Sequence, residues 1–270
     1  MTKTVLVCGD SHCGHRAGLT PPGWQLRAVA GEDEVYAKRR EKWAELQSAC
    51  WKWFCAEASK LRPIHLLILM GDMIDGAGSR TGGTELIVTD RNAQVDMALK
   101  WIRWLKPKNT IMVHGTPYHA GDVEDMEDII AGQLECKIGD HEWPEVNGVV
   151  FDCKHFLPGS SIPHGKGTAL LREDLWNALW HEFDEQPRAD ILVRAHVHWY
   201  LGLDGVRRGR PWRATTIPAL QGMGTKFGAR RMSQHVDFGF VHVDVTDKGD
   251  WTWVPHIAEL AAQKAHTLKF

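Results

Sequence analysis

The 270 residues contain no uninterrupted run of about 18 apolar residues, so no membrane-crossing helix is expected and no membrane partner follows. No two cysteines have the CxxC spacing. Cys8, Cys13, Cys50, Cys55, Cys136 and Cys153 are scattered, which gives no thiolate metal pattern and leaves reduced thiols as the expectation. Neither sign of charge dominates: 32 basic residues stand against 34 acidic ones, a net charge of −2. That balance provides no whole-protein attraction for nucleic acid, although a local patch is compatible with it. Internal repeats and low-complexity linkers are also lacking, so a single domain over 1–270 is expected. The opening "MTKTVLVCGD" enters a strand-like run that charge soon interrupts, unlike a secretory signal, and a cytoplasmic location is expected. What the chain has in quantity is histidine, fifteen residues, and tryptophan, thirteen. Tryptophan points to core or interface; the histidines cluster.

The first half alternates strands and helices. Residues 3–8 and "IHLLILM" at 64–70 read as buried strands, and "TIMVHG" at 110–115 as a third. Between them, 35–60 and 91–105 carry helical spacing, with Trp43, Leu46, Cys50 and Phe54 on the first and Val95, Leu99, Ile102 and Leu105 on the second. Such alternation implies βαβ units and a mostly parallel sheet. In the second half, strands are expected at 148–155, 190–195, 198–203, 212–217, 236–245 and 251–256, with a helix at 168–184. Their close spacing suggests antiparallel pairing. The fold class that results is α/β: a two-sheet β-sandwich flanked by helices, in four αββα layers.

Metal-ligand chemistry recurs at the strand ends. The first ends in "GDSH" (Asp10, His12), the second in "GDMIDG" (Asp72, Asp75), and the third in "HGTPYHAGD" (His114, Thr116, His119, Asp122). The strand near 150 ends in "FDCKH" (Asp152, His155) and the one near 192 in "RAHVH" (His196, His198). In open α/β sheets ligands gather outside the carboxyl ends of strands. Each pair alone has a plain alternative: a polar turn for Asp10 and His12, a helix cap for Asp72 and Asp75, an ordinary sheet pair for His196 and His198. Five ordered strand ends together favour ligation. Carboxylate and imidazole donors suit Mn²⁺, with Fe, Zn²⁺ and Ni²⁺ also open, better than Ca²⁺ or Mg²⁺ alone. A bridging carboxylate such as Asp72 suits two divalent ions, which bind a phosphoryl oxygen and share a hydroxide nucleophilic at neutral pH.

This ordered set resembles the calcineurin-like metallophosphoesterase family, whose pattern is DxH, GDxxD, GNH followed by Glu or Asp, a lone His, and GHxH. The resemblance spans residue 5 to about 245. It implies a first metal held by Asp10, His12, Asp72 and His198, and a second by Asp72, His155, His196 and a group from the third motif. Asp75 would orient a ligand from the outer shell. The third motif departs from the family. Thr116 stands where Asn is expected and Pro117 where the acid His follows, so Thr116 or His119 would replace the ligand, and His119 is the candidate acid. His155 is preferred over His164 as the lone His because it directly ends its strand. The "GTPYHAGD" variant resembles those of phage-encoded members, whose setting would be the host cytoplasm.

Lys166 and Arg172 are candidate phosphate contacts. The hairpin "WYLGLDGVRRGRPWR" at 199–213 carries four arginines among aromatics, a pattern that holds phosphate backbones and stacks bases, or simply a solvated hairpin. "KFGARR" at 226–231 adds charge. The expected activity is a dinuclear metal-dependent phosphoesterase, a phosphodiesterase on nucleotides or nucleic acid by preference. A phosphomonoesterase is the alternative, and a metal-poor scaffold on the same fold a third reading. The sequence leaves the oligomeric state open.

Overall fold

Strand β1, Lys3–Cys8, buries four consecutive residues, Val5 to Cys8. Side chains alternate across a strand, so such a run is covered on both faces. The structure, a computed structural model, describes residues 1–121, 125–160, 162–223, 236–260 and 269. Strands β2 (Leu66–Leu69), β3 (Thr110–Val113) and β4 (Lys137–Gly139) extend β1 in parallel. On its other side β1 pairs antiparallel with β10 (Gly239–Val245), and β10 with β11 (Trp251–Ile257). The sheet order is β11-β10-β1-β2-β3-β4. A second sheet has the order β5-β6-β7-β9-β8, from Glu145–Val146, Val149–Lys154, Ile191–Arg194, Arg210–Thr216 and Leu201–Arg207 respectively.

The helices are α1 (Glu34–Ser59), α2 (Arg91–Leu105), the short α3 (Pro117–Ala120), α4 (Met126–Leu134) and α5 (Gly165–Glu182). Aspartates start three of them: Asp33, Asp90 and Asp125 each accept a backbone N–H from two residues on, which satisfies donors no helical carbonyl can reach. Three cores separate four layers. Leu6, Cys8, Leu67 and Leu69 pack with Phe54 of α1, Trp101 of α2 and Ile130 of α4. Val5, Val7, Ile68 and Val113 meet Phe151, Cys153, Ile191 and Val193 between the sheets. Leu192 and Ala214 of the second sheet pack against Ala169 and Leu170 of α5. The αββα sandwich expected from the sequence is what forms. None of the described helices is long and apolar enough to cross a membrane.

Two expectations need correction. The second sheet is not mainly antiparallel: β6, β7 and β9 run parallel, and only the β5–β6 and β8–β9 pairs are antiparallel. The antiparallel β10–β11 pair instead completes the first sheet. Nor does a strand cover 198–203 from its start. β7 stops at Arg194 and β8 begins at Leu201, so His196 and His198 occupy the turn between them. They do not share the face of a strand.

Candidate metal centre

The candidate ligands sit just past strand ends, in a backbone conformation most side chains avoid. Asp10, His12, Asp72, His196 and His198 have φ of 50, 41, 52, 70 and 56°, five of the ten non-glycine residues with positive φ among the described residues. This left-handed region costs a non-glycine residue on the order of 1–2 kcal/mol, and such residues concentrate at functional sites. Main-chain bonds hold the turns in place. Asp10 N–H donates to Gly71 O at 2.9 Å and His12 N–H to Asp72 O at 3.0 Å, so the first two motifs are stitched together. The second and third touch backbone to backbone. A Cβ on Gly71 would lie 2.6 Å from Gly115 Cα, and one on Gly115 would overlap Asp72 Oδ1. Glycine is required at both because the chains approach this closely.

These turns aim nitrogen and oxygen atoms at one another. His12 Nδ1 lies 3.1 Å from Asp75 Oδ1, His119 Nδ1 3.0 Å from Asp75 O, and His155 Nδ1 2.5 Å from Met70 O. An acceptor at each Nδ1 assigns the proton there and turns the Nε2 lone pair inward, as in metal-bound histidine. His12 Nε2 and His198 Nε2 face each other at 3.3 Å. Asp10 Oδ2 accepts the His196 backbone N–H at 3.1 Å. Its other oxygen, Oδ1, is 3.3 Å from His198 Nε2 and 4.0 Å from His155 Nε2. His155 Nε2 is also 3.2 Å from Asp72 Oδ2, without the alignment of a hydrogen bond. Ligand atoms of Asp10, His12 and His198 lie within 4.8 Å of one another, as do those of Asp72, His155 and His196, and those of His12, Asp72 and His119.

The donor set fits divalent cations. Asp10 Oδ1 and His155 Nε2 are buried with no hydrogen-bond partner, a state that costs free energy unless something else satisfies them. Oxygen and imidazole nitrogen that close together match a site for Mn²⁺, Fe or Zn²⁺. The ionisation pattern agrees. Burial opposes charge on Asp72, yet His155, His119 and His12 hold its carboxyl far below the usual range. Asp10 behaves alike: burial is outweighed by His198 and His155. Burial, with His119 beside it, lowers His12 to about 4, so it is a neutral donor at physiological pH. Burial works against charge on His155 as well, but Asp72 and Asp10 push it up to about 10. The two carboxylates beside it thus favour positive charge at this position, which a bound divalent ion would supply.

Of the residues singled out by sequence, Asp10, His12, Asp72, His155, His196, His198 and His119 come together. Asp75 sits behind them, against His12 and His119. Thr116 commits both donors to Asp72: its N–H reaches Oδ1 at 2.7 Å and its hydroxyl lies 3.1 and 3.2 Å from the two oxygens. His119, the other third-motif candidate, groups with His12 and Asp72 rather than with His155 and His196. Lys166 lies 4.3 Å over the Trp199 ring, and Arg172 is exposed on α5. Among the described residues, neither has a hydrogen bond or ion pair to the cluster. In the hairpin, Arg207 pairs with Asp174 and Arg213 with Asp204, leaving Arg208 and Arg210 exposed near its turn. Asp122 and the 226–231 segment lie outside the described residues.

Glu127 is not among the residues that the sequence singles out. It is fully buried on α4, and accepts the Met73 N–H at 2.8 Å and the Gly115 N–H at 2.6 Å. One carboxylate thereby clamps the turns that carry Asp72 and Thr116. Burial, with the Asp72 charge added, raises its pKa to about 7. Nothing in the local sequence separates it from the neighbouring acids; only its place on the inner face of α4 does.

No protein-family model and no curated protein matches the chain. Solved structures do align with it. An archaeal phosphodiesterase is 12% identical at a TM-score of 0.40, over 94% of this chain and 99% of its own. Vps29 from Entamoeba histolytica, complexed with zinc, is 11% identical at 0.36, over 94% and 98%. A purple acid phosphatase from yellow lupin (Lupinus luteus) seeds is 10% identical at 0.47, over 95% of this chain and 52% of its own. At such values these proteins transfer no activity or ligand to this chain, whose candidate site stands on its own residues and their geometry.

Proposed function

We propose that the chain is a metal-dependent phosphoesterase of the calcineurin-like kind, acting on phosphodiesters of nucleotides or nucleic acid. The observation that carries this reading is Asp72. Its carboxylate joins two ligand groups, one through His12 and His119 and one through His155 and His196, beside the unpartnered Asp10 Oδ1 and His155 Nε2. Two divalent ions, Mn²⁺ by preference, would neutralise charge on a phosphoryl group there and acidify a water molecule. The residues do the remaining work. Asp10, His12, His198 and Asp72 would hold one ion, and Asp72, His155 and His196 the other. Thr116 fixes the rotation of the Asp72 carboxylate through two donors. Asp75 fixes the His12 ring. His119, with Nδ1 tied to the Asp75 carbonyl, presents Nε2 to the cluster, and its side chain is 18% exposed. That exposure lets it regain a proton from solvent after giving one to a leaving oxygen.

The exposed Arg208 and Arg210, which remain available to a phosphate backbone, support the diester reading. A phosphomonoesterase is the second reading, favoured by the engagement of Arg207 and Arg213 with carboxylates. The test compares bis-p-nitrophenyl phosphate with p-nitrophenyl phosphate, using stripped protein reloaded with Mn²⁺ and Asp72→Asn as control. Faster diester turnover that vanishes in the variant supports the proposal, and faster monoester turnover moves it to the second reading. An Asp72→Asn protein as active as the parent would remove the shared carboxylate from the account.

A further inference from the structure

Helix α5 is amphipathic the wrong way round for a helix with no neighbour on its outer side among the described residues. Its buried residues are Ala169, Leu170 and Asn177, and the Asn177 amide is occupied by Pro187 O, Arg188 and the Ala189 N–H. Its outward residues are large and apolar: Leu171 is 51% exposed, Leu175 58%, Trp176 50%, Leu179 41% and Trp180 43%, and Phe183 at the helix end is 71% exposed. They are not scattered. Leu171, Leu175, Leu179 and Phe183 step four residues at a time and form one ridge. Arg172, Trp176 and Trp180 form the ridge beside it, with the two indoles stacked at 6.5 Å. Neighbouring ridges at this spacing interlock with the grooves of a second helix. Single exposed leucines need no explanation, but a contiguous face of this kind marks an interaction surface.

We propose that this face is the interface of a symmetric dimer of this chain, with α5 packed on α5 of a second copy. Three features select a second copy as the occupant. The face is self-complementary: in an antiparallel pairing with the two-fold axis near residues 177–178, Leu175 meets Trp180 of the partner subunit and Trp176 meets the partner's Leu179. Charge agrees, since Arg172 then comes alongside the partner's Glu182. Both are exposed, and neither has an ion-pair partner among the described residues. The area suffices. A covered aromatic side chain buries about 150–250 Å², so half-exposed rings and leucines together offer on the order of 500 Å² per copy. Two copies then bury about 1,000 Å², the threshold for a specific interface. The proposal stands apart from the metal centre, because none of the face's residues belongs to it.

The test is the mass of the full metal-loaded chain by sedimentation equilibrium, from about 1 to 100 μM, a range that brackets micromolar affinity. A dimer is expected in the parent. Leu175→Glu and Trp180→Glu should each raise the dimer dissociation constant at least about 100-fold, as central interface positions do. Far-ultraviolet circular dichroism and the turnover of a small phosphate ester should be unchanged. Arg172→Glu should weaken the dimer and Glu182→Arg in the same chain should restore it, an effect that general surface stickiness does not produce. A parent that is monomeric at the highest concentration overturns the proposal. So does a dimer that survives both glutamate variants, and so does a monomer that cosediments with phospholipid vesicles, which would give the face to a lipid surface.

Discussion

Replacing Glu127 with Gln should stabilise the metal-free protein above neutral pH while weakening its hold on metal. Glutamine matches the protonated acid in shape and removes the charge. The folded-state pKa of Glu127 is raised from 4.5 to about 7. For an acid shifted upward, the native state binds more protons than the unfolded state between those values, so stability falls as pH rises through that window. The shift is about 2.5 units, and at 1.36 kcal/mol per unit the ionised carboxylate costs the metal-free fold about 3 kcal/mol at pH 8. Glutamine escapes that cost but has one acceptor oxygen for the two N–H groups of Met73 and Gly115. Losing the second acceptor returns about 0.5–1.5 kcal/mol, the scale of a neutral hydrogen bond. Denaturant unfolding should therefore find the variant slightly less stable than the parent at pH 5, and gaining on it by about 2.5 kcal/mol between pH 5 and pH 8. With cations beside Asp72 the negative charge of Glu127 becomes favourable and the clamp on both turns matters more. Calorimetric titration with Mn²⁺ at pH 8 should show affinity reduced 10- to 100-fold, the usual scale for a group that supports ligands from behind. A variant that binds Mn²⁺ within twofold of the parent, or one whose stability relative to the parent does not change with pH, would refute the reasoning.

Gly115→Ala places a methyl group on Asp72 Oδ1 and should abolish ester turnover by at least about 100-fold, read directly in the p-nitrophenyl assays. Arg194→Met leaves Asp152, buried and 2.7 Å from the guanidinium, without that cation, and takes from Glu173 its ion pair with Arg194. Unfolding in urea should show a loss of about 3–5 kcal/mol at pH 7, with recovery when Asp152 is changed to Asn as well. His242 and His256 share a 2.7 Å bond between ring nitrogens, and burial lowers the pKa of both. Their stabilisation is present above the unfolded value of about 6.5 and lost as pH falls below it, so His256→Gln should flatten the thermal stability profile between pH 5 and 7.

The candidate ligand cluster was legible because its chemistry is written in residue type at strand ends. Asp10, His12, Asp72, His155, His196 and His198 are unusual together, whatever the backbone does between them. The path of that backbone was not legible. "RAHVH" alternates like a strand, yet strand β7 ends at Arg194 because the next residues must turn the two imidazoles toward Asp10 and Asp72, which an extended chain cannot do. Left-handed φ at aspartate and histidine has no sequence signature comparable to glycine. Glu127 was hidden for a different reason: its role depends on two loops more than 10 residues away in sequence. The layers followed from periodicity, but β4 and β5, with three and two residues, are too short to show any. Which sheet β10 and β11 join depends on packing of Val241 and Val243 with Val5 and Val7, a long-range matter. On α5, helical spacing was visible while its outward apolar face was not, since periodicity alone does not tell which side is covered.

If the proposed ions bind, the five left-handed turn residues would also tie the lifetime of the chain to its mineral supply. At about 1–2 kcal/mol each they set about 5–10 kcal/mol against folding, as much as the whole net stability of an ordinary domain. Ion coordination offsets this only while ions are present. A copy starved of metal is the one that opens most often and that proteases reach first. In a cell the amount of this protein should therefore rise and fall with transition-metal availability even when its synthesis is constant.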